Sequence, residues 1–308
     1  MLIFQLLNDP GLGHCNRIIN LVKKHFYNEN SIILIPNSSD LILYLENQNI
    51  CNVLKYDTNK TSKQIIDLVD KKVGLWRIRE WLIDTKFNCS KLLVALKKSK
   101  VFSVLIDNQT NSRLLADKNI YPTLLFDKND LDWKGYSGKI ETRIFFKHNS
   151  LKNFNALIKR KKKRIQILIS FGGQDPKGLT IFAMKSLAQL EKSIKIQVVI
   201  GPLFRHRNKI KNVNKTMANR FEVIENCNDL SRFISNANCL LTAIGTTLFE
   251  SLHMKTPCIV VSNYRSDVKD ENKLRKFRGI TMIGHYKKIT GNRDFLFKIV
   301  KRKLECKG

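Results

Sequence analysis

The sequence predicts an α/β protein made of two Rossmann-like parallel-sheet domains facing across a cleft. Three observations predict it. Short apolar runs alternate with segments whose apolar residues recur at helical spacing, the pattern of βαβ units and parallel sheets. The pattern lapses in a polar stretch at 128–150 and restarts near residue 164. Three strand-to-helix junctions are rich in glycine, and strand ends are where open α/β sheets hold ligands. A chain of 308 residues, 43% of them hydrophobic, is long enough for two cores.

In the N-terminal half the expected strands are 2–7, "SIILIP" (31–36), "CNVLKY" (51–56), "VFSVLID" (101–107) and "PTLLFD" (122–127). Helical patterns fill 14–27, 39–46, 62–71, 76–84 and 89–98. Residues 128–150 read as irregular, because "KNDLDWKGYSGK" is dense in turn formers. In the second half "RIQILIS" (164–170), "IKIQVVIG" (194–201), "FEVIEN" (221–226), "CLLTAI" (239–244), "PCIVVS" (257–262) and "GITMIG" read as strands. Helices are expected at "LTIFAMKSLAQL", "DLSRFISNA", "GTTLFESLHM", near 268–277 and at about 292–304. The domains are therefore placed at 1–147 and 164–308, joined by a basic linker at 148–163.

The chain carries 55 Lys and Arg against 26 Asp and Glu, a formal charge of +29. Such an excess speaks to solubility and to polyanionic partners rather than to fold. No helix-turn-helix or RNA-binding signature accompanies it, so a specific nucleic-acid partner is not expected. The densest run, "KRKKKR" from Lys159 to Arg164, reads first as a solvated segment and second as a weak peripheral contact with anionic lipid. Seven scattered cysteines form no C-x-x-C pair, and the start "MLIFQLLNDPG" lacks a basic n-region. Both point to a cytoplasmic protein with reduced thiols and no metal site.

The first glycine junction is "GLGHCNR". Gly11 and Gly13 let backbone approach a ligand without a Cβ. His14 falls near the first helical turn, whose dipole favours the neutral imidazole that a general base requires. Arg17, three residues on, shares its helix face and suits an anionic substrate group. Read alone, the segment fits a helix-entry turn with a surface histidine better than a catalytic site. The second junction is "LISFGGQDPKG", where Gly172, Gly173 and Gln174 lead to Asp175 as N-cap and Pro176 at the first helical position. A strand, a glycine loop and a helix start make a phosphate cradle, although neither a P-loop nor the dinucleotide fingerprint is present. The third, "LLTAIGTTLFES", offers Gly245, Thr246 and Thr247 at a helix start. Glu250 follows one turn later, where a carboxylate accepts ribose hydroxyls or simply complements the helix dipole.

Taken together in order and spacing, these loops resemble the UDP-2,4-diacetamido-2,4,6-trideoxy-β-L-altropyranose hydrolases of pseudaminic acid biosynthesis. That family shares the GT-B fold with the lipid-II-forming N-acetylglucosaminyltransferases. Its G-x-G-H-x-x-R is matched by Gly11, Gly13, His14 and Arg17. Its S-F-G-G-x-D-P is matched by Ser170 to Pro176, and its G-[ST]-[ST]-x-x-E by Gly245 to Glu250. The resemblance implies UDP on the C-terminal domain, its diphosphate near the Gly172 and Gly245 loops and its ribose on Glu250. His14 would activate water against the anomeric carbon, with inversion and without a cofactor or metal. Two departures touch the substrate side. The family's Asp-x-Tyr at a strand end is met here by "LIDNQTN", with Asp107 and no Tyr. Its Asn-Gln pair is met by Asn263-Tyr264, with Asn272 as a second candidate. The expected activity is a UDP-sugar hydrolase. The alternative is a GT-B glycosyltransferase, in which the same base serves a glycan or lipid hydroxyl.

Overall fold

The computed structural model describes residues 1–7, 12–25, 31–37, 39–46, 50, 52–143, 164–201, 204–225, 227 and 229–305. The chain divides into two compact units, Met1–Phe146 and Lys147–Gly308. Gly11 and most of the basic run, Lys159 to Lys163, lie outside the described residues.

The first unit holds β1 (Leu2–Leu6), α1 (Leu12–His25), β2 (Ser31–Pro36), α2 (Ser39–Glu46), β3 (Val53–Tyr56), α3 (Ser62–Val73), β4 (Glu80–Asp84), α4 (Ser90–Lys98), β5 (Ser103–Ile106), β6 (Lys118–Tyr121) and β7 (Lys139–Thr142). Its seven strands are ordered β3-β2-β1-β4-β5-β6-β7, and all pairs are parallel. Strand order reverses between β1 and β4, which pair in register from Leu2 opposite Glu80 to Leu6 opposite Asp84.

Three expectations for this unit change. The helical pattern at 76–84 is a 3-10 turn, Leu75–Arg77, followed by β4. Trp81, Leu82 and Ile83 are buried in the sheet interior between β1 and β5. A short apolar run buried on both faces has no period of its own to separate it from a helix. The strand expected at 122–127 falls earlier, as β6, and ends before Pro122, which has no N–H for a ladder. The irregular stretch 128–150 contains β7, a half-exposed edge strand whose "KIET" carries no apolar signal.

The second unit runs β8 (Gln166–Ile169), α5 (Leu179–Leu187), β9 (Lys195–Val199), α6 (Arg207–Thr216), β10 (Glu222–Ile224), α7 (Ser231–Asn236), β11 (Cys239–Ala243), α8 (Thr246–His253), β12 (Cys258–Ser262), α9 (Val268–Leu274), β13 (Ile280–His285), α10 (Tyr286–Ile289) and α11 (Arg293–Glu305). The all-parallel sheet is ordered β10-β9-β8-β11-β12-β13. Its reversal lies between β8 and β11. Helix α6 has no counterpart among the sequence expectations, because only Ile210 of its ten residues is buried.

Each unit has its own core. Ile3, Trp81, Ile83, Leu93 and Leu105 centre the first; Ile167, Ile169, Met184, Ile196, Leu241 and Ile259 centre the second. Each such side chain contributes about 1.5–3 kcal/mol by leaving water. Trp81 Nε1 donates to Gln5 Oε1 at 2.7 Å, so the indole of β4 is tied to β1. That bond holds the two strands of the reversal point together.

Candidate functional site

In the first unit the reversal point carries a cluster of charge. Helix α1 begins at Leu12, so Gly13 lies in its first turn and His14 is its third residue. The last residue of β4 is Asp84. It is fully buried, and its Oδ1 lies 2.5 Å from His14 Nδ1. An ionised carboxylate only accepts, so a neutral imidazole here carries its hydrogen on Nδ1 and has its lone pair on Nε2. Asp84 Oδ2 lies 2.8 Å from Arg17 Nε. Arg17 also reaches Asp107, with both terminal nitrogens 3.3 Å from Oδ2. The His14–Arg17 spacing thus does bring the two side chains together, with Arg17 Nη2 at 3.3 Å from His14 Nδ1. Both atoms are donors, so Asp84 rather than Arg17 orients the imidazole.

Burial alone would lower the affinity of the Arg17 guanidinium for its proton. Asp84 and Asp107 outweigh that effect and raise it above the ordinary arginine value. Arg17 is therefore a fixed cation between two carboxylates. Asp107 sits just beyond β5 with φ 59°, a left-handed conformation that aspartate tolerates better than most residues. Lys86 Nζ approaches it at 3.9 Å from the exposed side.

Asp84 was not among the sequence candidates. Reading 76–84 as a helix hid the end of β4. The available signal was an acidic residue closing an apolar run, "EWLID", as Asp107 closes "VFSVLID". Asp84, followed by Thr85 and Lys86, is the strand-end carboxylate that touches His14; Asp107 touches Arg17.

In the second unit the glycine loops flank the other reversal point, one after β8 and one after β11. Gly172 has φ +87°, a conformation that glycine adopts freely. Gly201, just past β9, is required for a different reason. A Cβ there would stand 2.3 Å from the Gly173 Cα, so the bare backbone lets the two loops touch.

Asp175 differs from its expected role. Helix α5 starts at Leu179, so Pro176 is not its first residue. The Asp175 carboxylate, itself buried, reaches forward to accept from Leu179 N at 2.9 Å and Thr180 N at 2.8 Å. It thus occupies donors that an anion would otherwise use. Asp175→Ala should leave both unpaired and lower stability by about 1–3 kcal/mol. Thermal denaturation will show this as a melting point lower by a few degrees.

At the second loop, the N-terminus of α8 has Gly245 before it and no side-chain cap. Thr246 is exposed, Thr247 and Glu250 are half-buried, and Glu250 lies in the second turn. Open space surrounds the position that a Gly245 Cβ would take. After β12, Asn263 and Tyr264 donate their backbone N–H groups to Asp267 Oδ2 at 3.0 and 2.9 Å. Asn263 Oδ1 is buried with no hydrogen-bond partner among the described residues. Asn272 is exposed on α9. Its neighbour Glu271 is the residue that returns to the sheet, accepting from Ser262 Oγ at 2.5 Å.

Comparison with known proteins places this architecture. MurG of Acinetobacter baumannii superposes with a TM-score of 0.67 at 11% identity, over 98% of this chain and 90% of that one. The fold is GT-B. A UDP-GlcNAc 2-epimerase from Neisseria meningitidis, bound to UDP-GlcNAc, gives 0.59 at 13% identity over 99% and 92%. No family model matches the chain. Two curated relatives are similar in sequence. One is the uncharacterized protein MJ1062 of Methanocaldococcus jannaschii, 24% identical in an alignment that covers 85% of this chain and 55% of that protein. The chain thus spans about half the length of that relative. The other is the spore coat polysaccharide biosynthesis protein SpsG of Bacillus subtilis, 21% identical over 82% of this chain and 74% of SpsG. Among the described residues no helix is long and apolar enough to cross a membrane.

Proposed function

We propose that the chain is a UDP-sugar hydrolase, releasing UDP and a free sugar of the 2,4-diacetamido-trideoxy type. The observation that carries the reading is the contact of His14 with the fully buried Asp84 carboxylate. Nδ1 is committed to a carboxylate, so Nε2 is the basic atom, and His14 is 18% exposed. This is the arrangement a general base needs, with orientation and tautomer held from behind. Arg17 balances the charge of Asp84 and serves as a positioning residue, with Asp107 holding its far side.

In the proposed reaction, Nε2 takes a proton from water as the oxygen attacks the anomeric carbon. The bond from that carbon to the phosphate oxygen breaks, its electron pair leaves with UDP, and the configuration inverts. The loops after β8 and β11 hold the nucleotide, with Glu250 on the ribose and the uncapped N-terminus of α8 beside the diphosphate. Asn263, whose Oδ1 is unpartnered, receives a sugar hydroxyl or amide. The similarity to an epimerase holding UDP-GlcNAc and to a polysaccharide biosynthesis protein supports a nucleotide-sugar substrate.

One observation favours the transferase alternative. Phe87, three residues beyond Asp84, is 58% exposed, an apolar face that an acceptor glycan or lipid would cover. The test is turnover of a panel of UDP-, GDP-, CMP- and dTDP-sugars with no acceptor present. The hydrolase reading expects a UDP-sugar to yield UDP and free sugar. Turnover that begins only on adding a glycan or lipid acceptor would replace it with the transferase.

A further inference from the structure

The loop from Phe171 to Gly178 contains one cation, Lys177. Its ammonium lies 5.2 Å from the ring centroid of Tyr286 and 5.8 Å from that of Tyr264. Tyr264 stands two residues past β12 and Tyr286 immediately past β13. Connections at the C-terminal ends of β8, β12 and β13 therefore converge on one positive charge, on the side of the sheet where ligands bind.

One feature of this cluster points to an anion, and two others bear on how it is held. Among the described residues, no carboxylate lies within ion-pair distance of Lys177. A carboxylate partner would cancel the ammonium, whereas two ring faces attract it and leave its charge available. Asp175, two residues earlier, is buried and occupies the first donors of α5. A phosphate entering this loop meets that negative charge and needs a cation against it. Next to Tyr264, Asn263 Oδ1 is buried and unpartnered, an acceptor suited to the polyol attached to such a phosphate.

We propose that Lys177, steadied by Tyr264 and Tyr286, binds the terminal phosphate of the nucleoside diphosphate and stabilises it as the leaving group. When the bond from the anomeric carbon to the phosphate oxygen breaks, the electron pair stays on that oxygen. The ammonium offsets the added charge without giving up a proton. The inference rests on the nucleotide-sugar reading and adds to it a leaving-group cation supplied by the protein.

The experiment is calorimetric titration of wild type, Lys177→Met and Lys177→Arg with UDP and with UMP. Lys177 is exposed, and UMP binding serves as the internal check on folding. The wild type should prefer UDP over UMP. Lys177→Met should weaken UDP by about 10- to 100-fold, the worth of one charged hydrogen bond, and leave UMP within about twofold. Lys177→Arg should recover part of the preference. An unchanged ratio of UDP to UMP affinity in Lys177→Met overturns the role of Lys177 while the nucleotide reading stands. A wild type that binds neither nucleotide overturns that reading, and the role of Lys177 with it.

Discussion

Replacing His14 with glutamine should cut release of UDP from its sugar conjugate by about 100- to 10,000-fold, the usual contribution of a positioned general base. Glutamine keeps a donor that can face Asp84 but has no basic nitrogen for water. UDP affinity should stay within about twofold of wild type, because a base acting in the transition state adds little to ground-state binding. Initial rates and a UDP titration on the same preparation check both halves. A variant that retains full turnover removes His14 from the chemistry. One that loses UDP binding makes it a structural residue.

The second large effect is expected at Asp84. In Asp84→Asn the amide must present its oxygen to one neighbour and its NH2 to the other. The Arg17 guanidinium, with Nε 2.8 Å away, is a cation with no acceptor and so attracts the oxygen rather than the NH2. The NH2 then faces His14 Nδ1, which becomes an acceptor and moves the hydrogen to Nε2. The base is lost although the histidine is intact. In the serine-protease triad the same substitution costs about 10,000-fold by this route, and a loss of about 1,000-fold or more is expected here. The substitution also leaves Arg17 with one carboxylate, and breaking a buried ion pair costs about 3–5 kcal/mol. Stability must therefore be read beside rate. The double variant His14→Gln with Asp84→Asn should be no slower than His14→Gln alone, since the two residues act as one unit. A single Asp84→Asn variant retaining a tenth of the wild-type rate contradicts the tautomer argument.

The same residues mark how far the sequence is legible. The parallel-sheet class of both units follows from alternation, because strand and helix periods differ, but β4 and β7 do not, and β6 falls earlier than the pattern places it. The histidine and arginine three apart are legible for the same reason: helical spacing puts them on one face. Asp84 is not legible that way. Its strand is apolar on both faces, and its partners in the sheet, Leu6 and Ile106, come from distant parts of the chain. Periodicity is blind to such pairing. Asp175 shows a subtler limit. Its preference for capping is visible in the sequence, but not that its carboxylate would reach over three residues to α5. Gly201 and Lys177 matter through the loops they meet, and such contacts leave no local pattern.

The central claim is that His14, aligned by Asp84, directs water at the anomeric carbon of a UDP-sugar. The most direct measurement is turnover of the UDP-2,4-diacetamido-trideoxy sugar in 18O-labelled water without an acceptor, followed by mass spectrometry of both products. The account predicts unlabelled UDP and free sugar carrying 18O at its anomeric carbon. Label in the phosphate of UDP would place the attack at phosphorus and contradict it.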